Sequence, residues 1–331
     1  MKVLVTGGGG FLGRYVVNKL LASGRDVRVL GRSDQPELRS LGVDVIQGDL
    51  RDAAAVLAAS KGMDVIQHIA AKAGVWGCWG IYYRTNVWGT QNVLSACKKN
   101  GINRLVYTST PSVAFNGEAL RGVDESQPYG RGWLCHYAHT KMLAEKEVLE
   151  ANDPNGSGLR TIALRPHLIW GVGDNHLIPR VIDRAKKGKL RIVGDGMNKV
   201  DIVHVQNAAD AQIFAQDALE IEENGGKAYF ISQGQPVVLW DWINDLLDRL
   251  GIPKIEKRIS LGAAYKLGAV MEGIWKAFRL SGEPPMTRFV ATELAKDHFF
   301  DISSAREKLG YQPKVTIEEG LEELVEHYKQ I

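Results

Sequence analysis

The feature that most constrains this chain is a glycine cluster set directly behind a short apolar stretch: residues 2–6 read KVLVT and residues 6–13 read TGGGGFLG. A β-branched pentad that ends in glycine reads as a buried strand. Past the glycines, Phe11, Leu12, Val16, Val17, Leu20 and Leu21 recur at helical spacing as far as Ala22. The predicted order is therefore strand, tight turn, helix. Gly7, Gly10 and Gly13 stand at GxxGxxG spacing in that turn, with Phe11 and Leu12 opening the helix between the last two. Glycines there let the backbone approach a pyrophosphate, whose charge is favoured by free N–H groups and by the helix dipole. An ordinary glycine-rich turn has the same composition, and it is the strand–turn–helix setting that argues for a dinucleotide.

The same alternation continues along the chain. Apolar runs at Val27–Leu30, Val43–Gln47, Val65–Ile69, Leu105–Thr108 and Thr161–Leu164 are separated for the most part by helical patterns. Continuous apolar strands between helices predict a parallel sheet covered on both faces, an α/β doubly wound Rossmann fold. After Pro166 the rhythm breaks, with Gly171, Gly173, Pro179, Gly188, Gly194 and Gly196 punctuating short segments. One run, Ala228–Ser232, reads as a return to the main sheet, and most of the rest is helical, including Trp240–Leu250 and Glu318–Tyr328. Residues 1–166, with return segments around 201–232, are expected to form the nucleotide-binding domain, and residues 167–200 and 233–331 a smaller, mainly helical substrate lobe.

Composition excludes several classes. At 331 residues, with 45% hydrophobic and 24% charged residues, the chain has the make-up of a globular enzyme. A net charge of +3 does not argue for nucleic-acid binding. The local exception, RAKKGKLR from Arg184 to Arg191, reads as a solvated helix end or as a patch that attracts an acidic substrate. Cys78, Cys97 and Cys135 lie far apart without a CxxC pair, so neither a disulfide framework nor a metal site is expected. The first residues run straight into a strand and lack the pattern of a secretory signal, so a cytoplasmic location is expected.

The end of the second strand speaks to the choice of cofactor. An NAD enzyme commonly has an acidic residue there to accept hydrogen bonds from the ribose hydroxyls. This chain has Leu30-Gly31-Arg32-Ser33. Arg32 offers a planar fork to a 2′-phosphate and Ser33 a neutral hydrogen bond, so NADP(H) is favoured over NAD(H). Asp34 stands close by as a counter-indication. Asp49 and Leu50, after the third strand, are placed to meet the adenine; Asp49 equally reads as a helix cap.

Tyr137 and Lys141 form a YxxxK pair within the helical segment YAHTKMLAEKEVL, and four-residue spacing puts both on one face. A phenol with its ordinary pKa near 10 is a poor proton carrier at neutral pH, and a nearby ammonium is expected to lower it. Tyr137 then donates a proton to an alkoxide as hydride arrives, or removes one in the opposite direction. The fifth strand ends in Tyr107-Thr108-Ser109-Thr110, presenting hydroxyls at the carboxyl edge of the sheet, where open α/β folds bind ligands. Thr110 could polarise a substrate carbonyl, with Ser109 and Ser112 as competing candidates. Asn86 reads as a cap, as a buried amide, or as a group positioning Lys141 or a water.

With these elements in order, the chain resembles the extended short-chain dehydrogenase/reductase family along essentially its whole length. The matching segments are TGGGGFLG, GDL at 48–50, HIAA at 68–71, NVWGTQN at 86–92, YTST at 107–110, YAHTK at 137–141 and LRPHLIWGVGD at 164–174. The resemblance implies Thr110, Tyr137 and Lys141 as the catalytic set. It also implies that Ala70 and Ala71 border the cofactor, that Lys141 holds the nicotinamide ribose as well, and that Pro166 and His167 line the nicotinamide side.

YTSTPSV, NKVDIVHVQNAADA at 198–211, GEPPMTRF and FFDISSAREKLGY narrow the likeness to the 3β-hydroxysteroid dehydrogenase branch. AKAGVWG at 71–77 and GDGMNKVD point further, to the β-keto acid reductases of bacterial long-chain olefin biosynthesis. The implied reaction is NADPH-dependent reduction of a long-chain 2-alkyl-3-oxoalkanoic acid. A sterol dehydrogenase, a nucleotide-sugar epimerase or dehydratase, and a non-catalytic nucleotide sensor are the alternatives, in that order. Arg32 weakens the steroid reading, and His167-Leu168-Ile169-Trp170 offers little to a nucleotide diphosphate.

Aromatic residues near the site also suit an apolar substrate: Trp76, Trp79, Tyr82, Tyr83 and Trp88 could cover an acyl chain or serve as packing. Ala264, Leu267, Met271, Ile274, Trp275 and Phe278 form an apolar stripe that would meet the substrate lobe, a partner enzyme of the hydrocarbon pathway or a membrane surface. A homodimer is expected.

Overall fold

A computed structural model describes residues 1–153, 155 and 158–330. In chain order its main elements are β1 (Lys2–Thr6), α1 (Phe11–Ala22), β2 (Asp26–Gly31), β3 (Asp44–Gln47), β4 (Val65–His68), α2 (Gly89–Asn100), β5 (Arg104–Thr108), α3 (His136–Glu150) and β6 (Arg160–Pro166). They continue with α4 (Leu177–Lys186), α5 (Val205–Ala218), β7 (Lys227–Ile231), α6 (Leu239–Arg249), α7 (Leu261–Ala277), α8 (Arg288–Glu293) and α9 (Ile317–Lys329). The seven strands form one sheet in the order β7-β6-β5-β4-β1-β2-β3, parallel throughout. All seven runs expected from the sequence are strands of this sheet.

The period-two alternation of side chains explains why both faces are dry. Val3 and Val5 of β1 pack on one face with Val16, Val17 and Leu20 of α1 and with the alanine row Ala208, Ala211 and Ala215 of α5. Leu4 points to the other face, among Val93 and Ala96 of α2 and Ala144 and Val148 of α3. Each such fully buried Val or Leu contributes about 1.5–3 kcal/mol. A separate core beyond the carboxyl edge holds Trp170, Ile178, Trp240, Leu246 and Leu324, from α4, α6, α9 and their connections.

Two segments cross the division expected at residue 166. Leu120–Val123 leaves the nucleotide-binding half and pairs with His298–Phe300 in a small four-stranded sheet with Lys199–Val200 and Val237–Val238. In return, the helix Ser303–Leu309 packs on β7 and α5, covering the edge of the main sheet. The apolar stripe of α7 also differs from a packed one. The residues it buries are Ala264, Gly268 and Glu272. A Cβ on Gly268 would lie 2.6 Å from the Thr287 backbone, so glycine sets how closely α7 meets the segment leading into α8. Leu267, Ile274 and Phe278 are left exposed.

Candidate active site

The glycine turn is built for a close approach. Gly7 takes a left-handed backbone (φ +75), and a Cβ on Gly13 would lie 2.1 Å from the Gly7 carbonyl oxygen. A Cβ on Gly7 itself would fall 2.9 Å from Ala70 Cα, so only glycine lets the turn meet the end of β4. Gly10, the N-cap of α1, has no side chain to engage the first-turn N–H groups, and no acidic residue stands in that turn. These donors and the helix dipole face outward together, which fits a pyrophosphate. Phe11 meets Tyr15 edge-on at 6.2 Å, and Leu12 is buried in the core beneath. Ala70 holds the turn from the other side, its N–H donating to the Thr6 carbonyl (3.1 Å), while Ala71 is exposed.

At the end of β2, Arg32 is exposed and makes no ion pair among the described residues. Ser33 Oγ accepts from Gln35 Nε2 (3.0 Å), and the Gln47 side chain holds the Arg32 carbonyl (2.9 Å). Asp34 is engaged by Arg39 at 2.9 Å, which neutralises the acid that argued against a 2′-phosphate here. Asp49 is not a helix cap: Asp52 caps the helix Ala53–Ala59, accepting from Ala54 N (2.9 Å) and Ala55 N (3.2 Å). Asp49 instead takes the Arg51 fork (2.6–3.1 Å), which holds its carboxyl below the ordinary range. Leu50 is buried under Gly89, and its carbonyl accepts from Asn92 (2.8 Å).

The reaction residues converge where β4, β5 and β6 end. Thr110, after β5, is 8% exposed; its hydroxyl lies 3.3 Å from both Ser112 N and Ser112 Oγ and is near enough to the Tyr137 phenol to draw its pKa down. Ser109 is buried with its hydroxyl unpartnered, and of the three hydroxyls it is that of Thr110 that acts on the Tyr137 phenol. The expectation that Lys141 lowers the Tyr137 pKa fails in this state. Burial pushes the phenol up to about 12, the Cys135 thiol adds to the rise, and only the Thr110 hydroxyl pulls it back. Lys141 turns elsewhere: Nζ donates to the Thr108 carbonyl (2.5 Å) and sits 4.0 Å over the Tyr107 ring. Burial brings its ammonium down to about 7, against the upward pull of Glu145.

Residues outside the motifs fix this geometry. Glu145, one turn beyond Lys141, is fully buried and paired with Arg165 of β6 (2.5 Å), tying the tyrosine helix to the sheet. Its four-residue spacing from Lys141 is the sequence signal for it. Asn86 lies in a π-helical turn, Tyr83–Trp88, and is a buried amide. It accepts from Lys72 N (2.7 Å) and donates to Lys72 O (3.1 Å) and Thr140 Oγ1 (3.0 Å), joining the loop after β4 to α3. Thr6, His68 and Thr90 continue this chain back to the glycine turn, at 2.8 and 3.0 Å.

Pro166 ends β6 and His167 follows it, both buried. His167 Nε2 and His298 Nδ1 share a hydrogen bond of 2.6 Å, and His298 Nε2 meets the Glu293 carbonyl at 2.8 Å. Nothing local in the sequence announces His298, which is 131 positions away. Leu168, next in line, is held in a left-handed backbone (φ +43), strain of the kind that collects at sites. The aromatic stretch divides. Trp79 contacts His136 and His139 of α3 at 5.4 and 4.9 Å and Trp133 stacks on His139, so these rings brace the tyrosine helix. Tyr82 is buried, its hydroxyl donating to the Trp76 carbonyl (3.0 Å).

Comparison with known proteins identifies the family. The model of the 3-beta hydroxysteroid dehydrogenase/isomerase family matches residues 4–262. The chain is 49% identical over 329 residues to a 2-alkyl-3-oxoalkanoate reductase of Stenotrophomonas maltophilia, covering 98% of each. It is 45% identical to the enzyme of that name from Shewanella oneidensis, over 97% of this chain and 84% of the other. It is 32% identical to the decarboxylating sterol-4-alpha-carboxylate 3-dehydrogenase of Mus musculus, over 99% and 91%. Among solved structures, MoeE5 in complex with UDP-glucose and NAD aligns at a TM-score of 0.75 with 25% identity, over 100% and 99%. The Thermus thermophilus UDP-glucose 4-epimerase with NAD shares the fold at a TM-score of 0.74 and 24% identity, over 99% of each chain. A matching family model over most of the chain, together with full-length relatives named as reductases and dehydrogenases, establishes that the chain belongs to the 3-beta hydroxysteroid dehydrogenase/isomerase family and is a nicotinamide-dinucleotide-dependent oxidoreductase.

Proposed function

We propose that this enzyme uses NADPH to reduce a long-chain 2-alkyl-3-oxoalkanoic acid to the 2-alkyl-3-hydroxy acid. The observation that carries the reading is the grouping of the Thr110 hydroxyl, the Tyr137 phenol and a buried Lys141 at the carboxyl edge of the sheet, with Thr110 near enough to the phenol to draw its pKa down. Two neighbouring hydroxyls at the carboxyl edge of the sheet can both point at one carbonyl oxygen. The glycine turn would hold the NADPH pyrophosphate, and the bound cofactor would supply a hydride for the carbonyl carbon. Thr110 hydrogen-bonds the oxygen and polarises the C=O bond. Tyr137 then gives its phenolic proton to the oxygen as negative charge develops there, and water restores the proton. A phenol whose pKa lies near 12 is protonated throughout the neutral range, so it holds the proton that reduction requires.

Relatives support the substrate class. The names of the 2-alkyl-3-oxoalkanoate reductases and of the sterol-4-carboxylate 3-dehydrogenase share one chemical unit, a carboxylate on the carbon next to the oxygen-bearing carbon. The choice of NADPH rests on exposed Arg32 with Asp34 occupied by Arg39. Cofactor oxidation measured with a panel of 2-alkyl-3-keto acids, 3-ketosteroids and nucleotide sugars tests the assignment. Preference for the branched keto acids is expected, and faster turnover of a steroid or sugar would replace it.

A further inference from the structure

We propose that the exposed face of α7 docks on an anionic lipid bilayer. Half of the large apolar side chains exposed among the described residues, six of twelve, lie in one stretch: Tyr265, Leu267, Val270, Ile274, Phe278 and Leu280. Phe278, 74% exposed, is the most exposed of all twelve. On a helix Leu267, Val270, Ile274 and Phe278 share one face. The turn that follows holds Arg279 in a left-handed backbone (φ +51), and the Leu280 N–H closes it on the Trp275 carbonyl (3.1 Å). A non-glycine residue there is strained by about 1–2 kcal/mol, and the strained turn displays Phe278 and Leu280 to solvent.

Charge selects the occupant. The only carboxylate on α7, Glu272, is buried and bonded to Arg288 (2.7 Å), so the exposed ionic groups from 261 to 280 are Lys266, Lys276 and Arg279, all cationic. The basic run 184–191 lies alongside. Its end is joined to the approach to α7, where Ile192 N donates to the Lys257 carbonyl (2.9 Å), and Arg180 of α4 pairs with Glu283 just past the other end. An apolar strip whose own exposed charges are all cationic is the complement of acyl chains beneath anionic headgroups. A two-fold contact with a second copy would set these like charges against each other. No helix among the described residues is long and apolar enough to cross a membrane, so the contact is peripheral.

The surface also leads to the site. Glu283 Oε1 accepts from Val75 N (2.9 Å), in the loop that Asn86 ties to α3. Docking would therefore set a bilayer against a segment tied to the tyrosine helix, a use for the surface that rests on the proposed substrate, whereas docking itself does not.

Sedimentation of the full chain with vesicles tests docking in the absence of substrate. Binding to mixed phosphatidylcholine–phosphatidylglycerol vesicles well above that to phosphatidylcholine alone is expected, weakening as salt is added. Ile274→Ser with Phe278→Ser should reduce it about tenfold or more, the loss of two apolar side chains from a membrane phase. Lys266→Gln with Lys276→Gln should remove the preference for phosphatidylglycerol while reduction of a short soluble ketone persists. Absence of binding to either vesicle overturns the proposal, as does a dimer in free solution that the Ile274/Phe278 variant dissociates. Either failure leaves the assignment of the keto acid standing, since that is read from turnover.

Discussion

Lys141 is bonded to the carbonyl of Thr108 rather than to Tyr137, at 2.5 Å, and burial there brings the pKa of its ammonium from 10.5 down to about 7. The sign of the effect on stability follows from proton counts. Between about pH 7 and about pH 10 the unfolded chain keeps the lysine proton while the folded, cofactor-free protein releases it, so stability rises with pH across that window. Below about pH 7 both states are charged and the whole cost of burial is present. Lys141→Met removes this contribution. Thermal unfolding of the two proteins across that range should show the variant gaining on wild type at the acidic end and losing the gain toward the alkaline end. Parallel curves would mean that Lys141 is not desolvated.

Tyr137→Phe should lower turnover by about 10²–10⁴, the range for loss of a positioned proton donor, while cofactor affinity stays near wild type because Tyr137 is no part of the glycine turn. With the wild-type phenol near 12 in the free protein, the rate of reduction should not fall from loss of this proton until strongly alkaline pH. Steady-state rates and cofactor titration measure both. A variant that still turns over within a few-fold of wild type would remove Tyr137 from the proton path.

The sheet was legible because its information is local. Each strand is a short apolar run, and the pairs Val3/Val5 and Leu4 need only alternation to be sent to opposite faces. The glycine turn and the Tyr137–Lys141 spacing are likewise carried by neighbouring residues. What sequence could not show were relations between distant side chains. His298 reaches His167 from a strand that a small sheet aligns with Leu120–Val123. Asp52, not Asp49, caps its helix because the helix begins only at Ala53 and the Asp49 carboxylate is taken by Arg51. On α7, helical spacing identified the apolar residues but not which side packs, and it is Gly268, by admitting the Thr287 backbone, that turns Leu267 and Phe278 outward.

Arg32→Asp should separate the two cofactors. Replacing an exposed, unpaired guanidinium with a carboxylate removes a charged partner of a 2′-phosphate and adds repulsion, at a cost of about 1.5–3 kcal/mol or ten- to a hundredfold in NADPH affinity. NADH affinity should change by much less. Dissociation constants from fluorescence titration of both dinucleotides decide the matter, and equal losses would mean that Arg32 does not contact the 2′-phosphate.

Acid should destabilise this protein through its buried histidines, and His167 offers the means to see it. Burial and the neighbouring His298 hold the His167 pKa well below 6.5, and burial brings His68 to about 3 and His204 to about 4. As pH drops through about 6.5, each of these side chains takes up a proton in the unfolded chain but not in the folded one, so stability falls with acidification. His167→Leu should lessen the slope by about one proton. His298→Ala should act differently. It strips His167 Nε2 of its 2.6 Å partner and costs about 1–3 kcal/mol for the unmatched group at every pH, and His298→Gln, which keeps a hydrogen-bonding side chain, should recover part of it. Denaturant midpoints at a series of pH values separate the two effects. If His167→Leu leaves the acid slope unchanged, His167 is not held neutral in the fold.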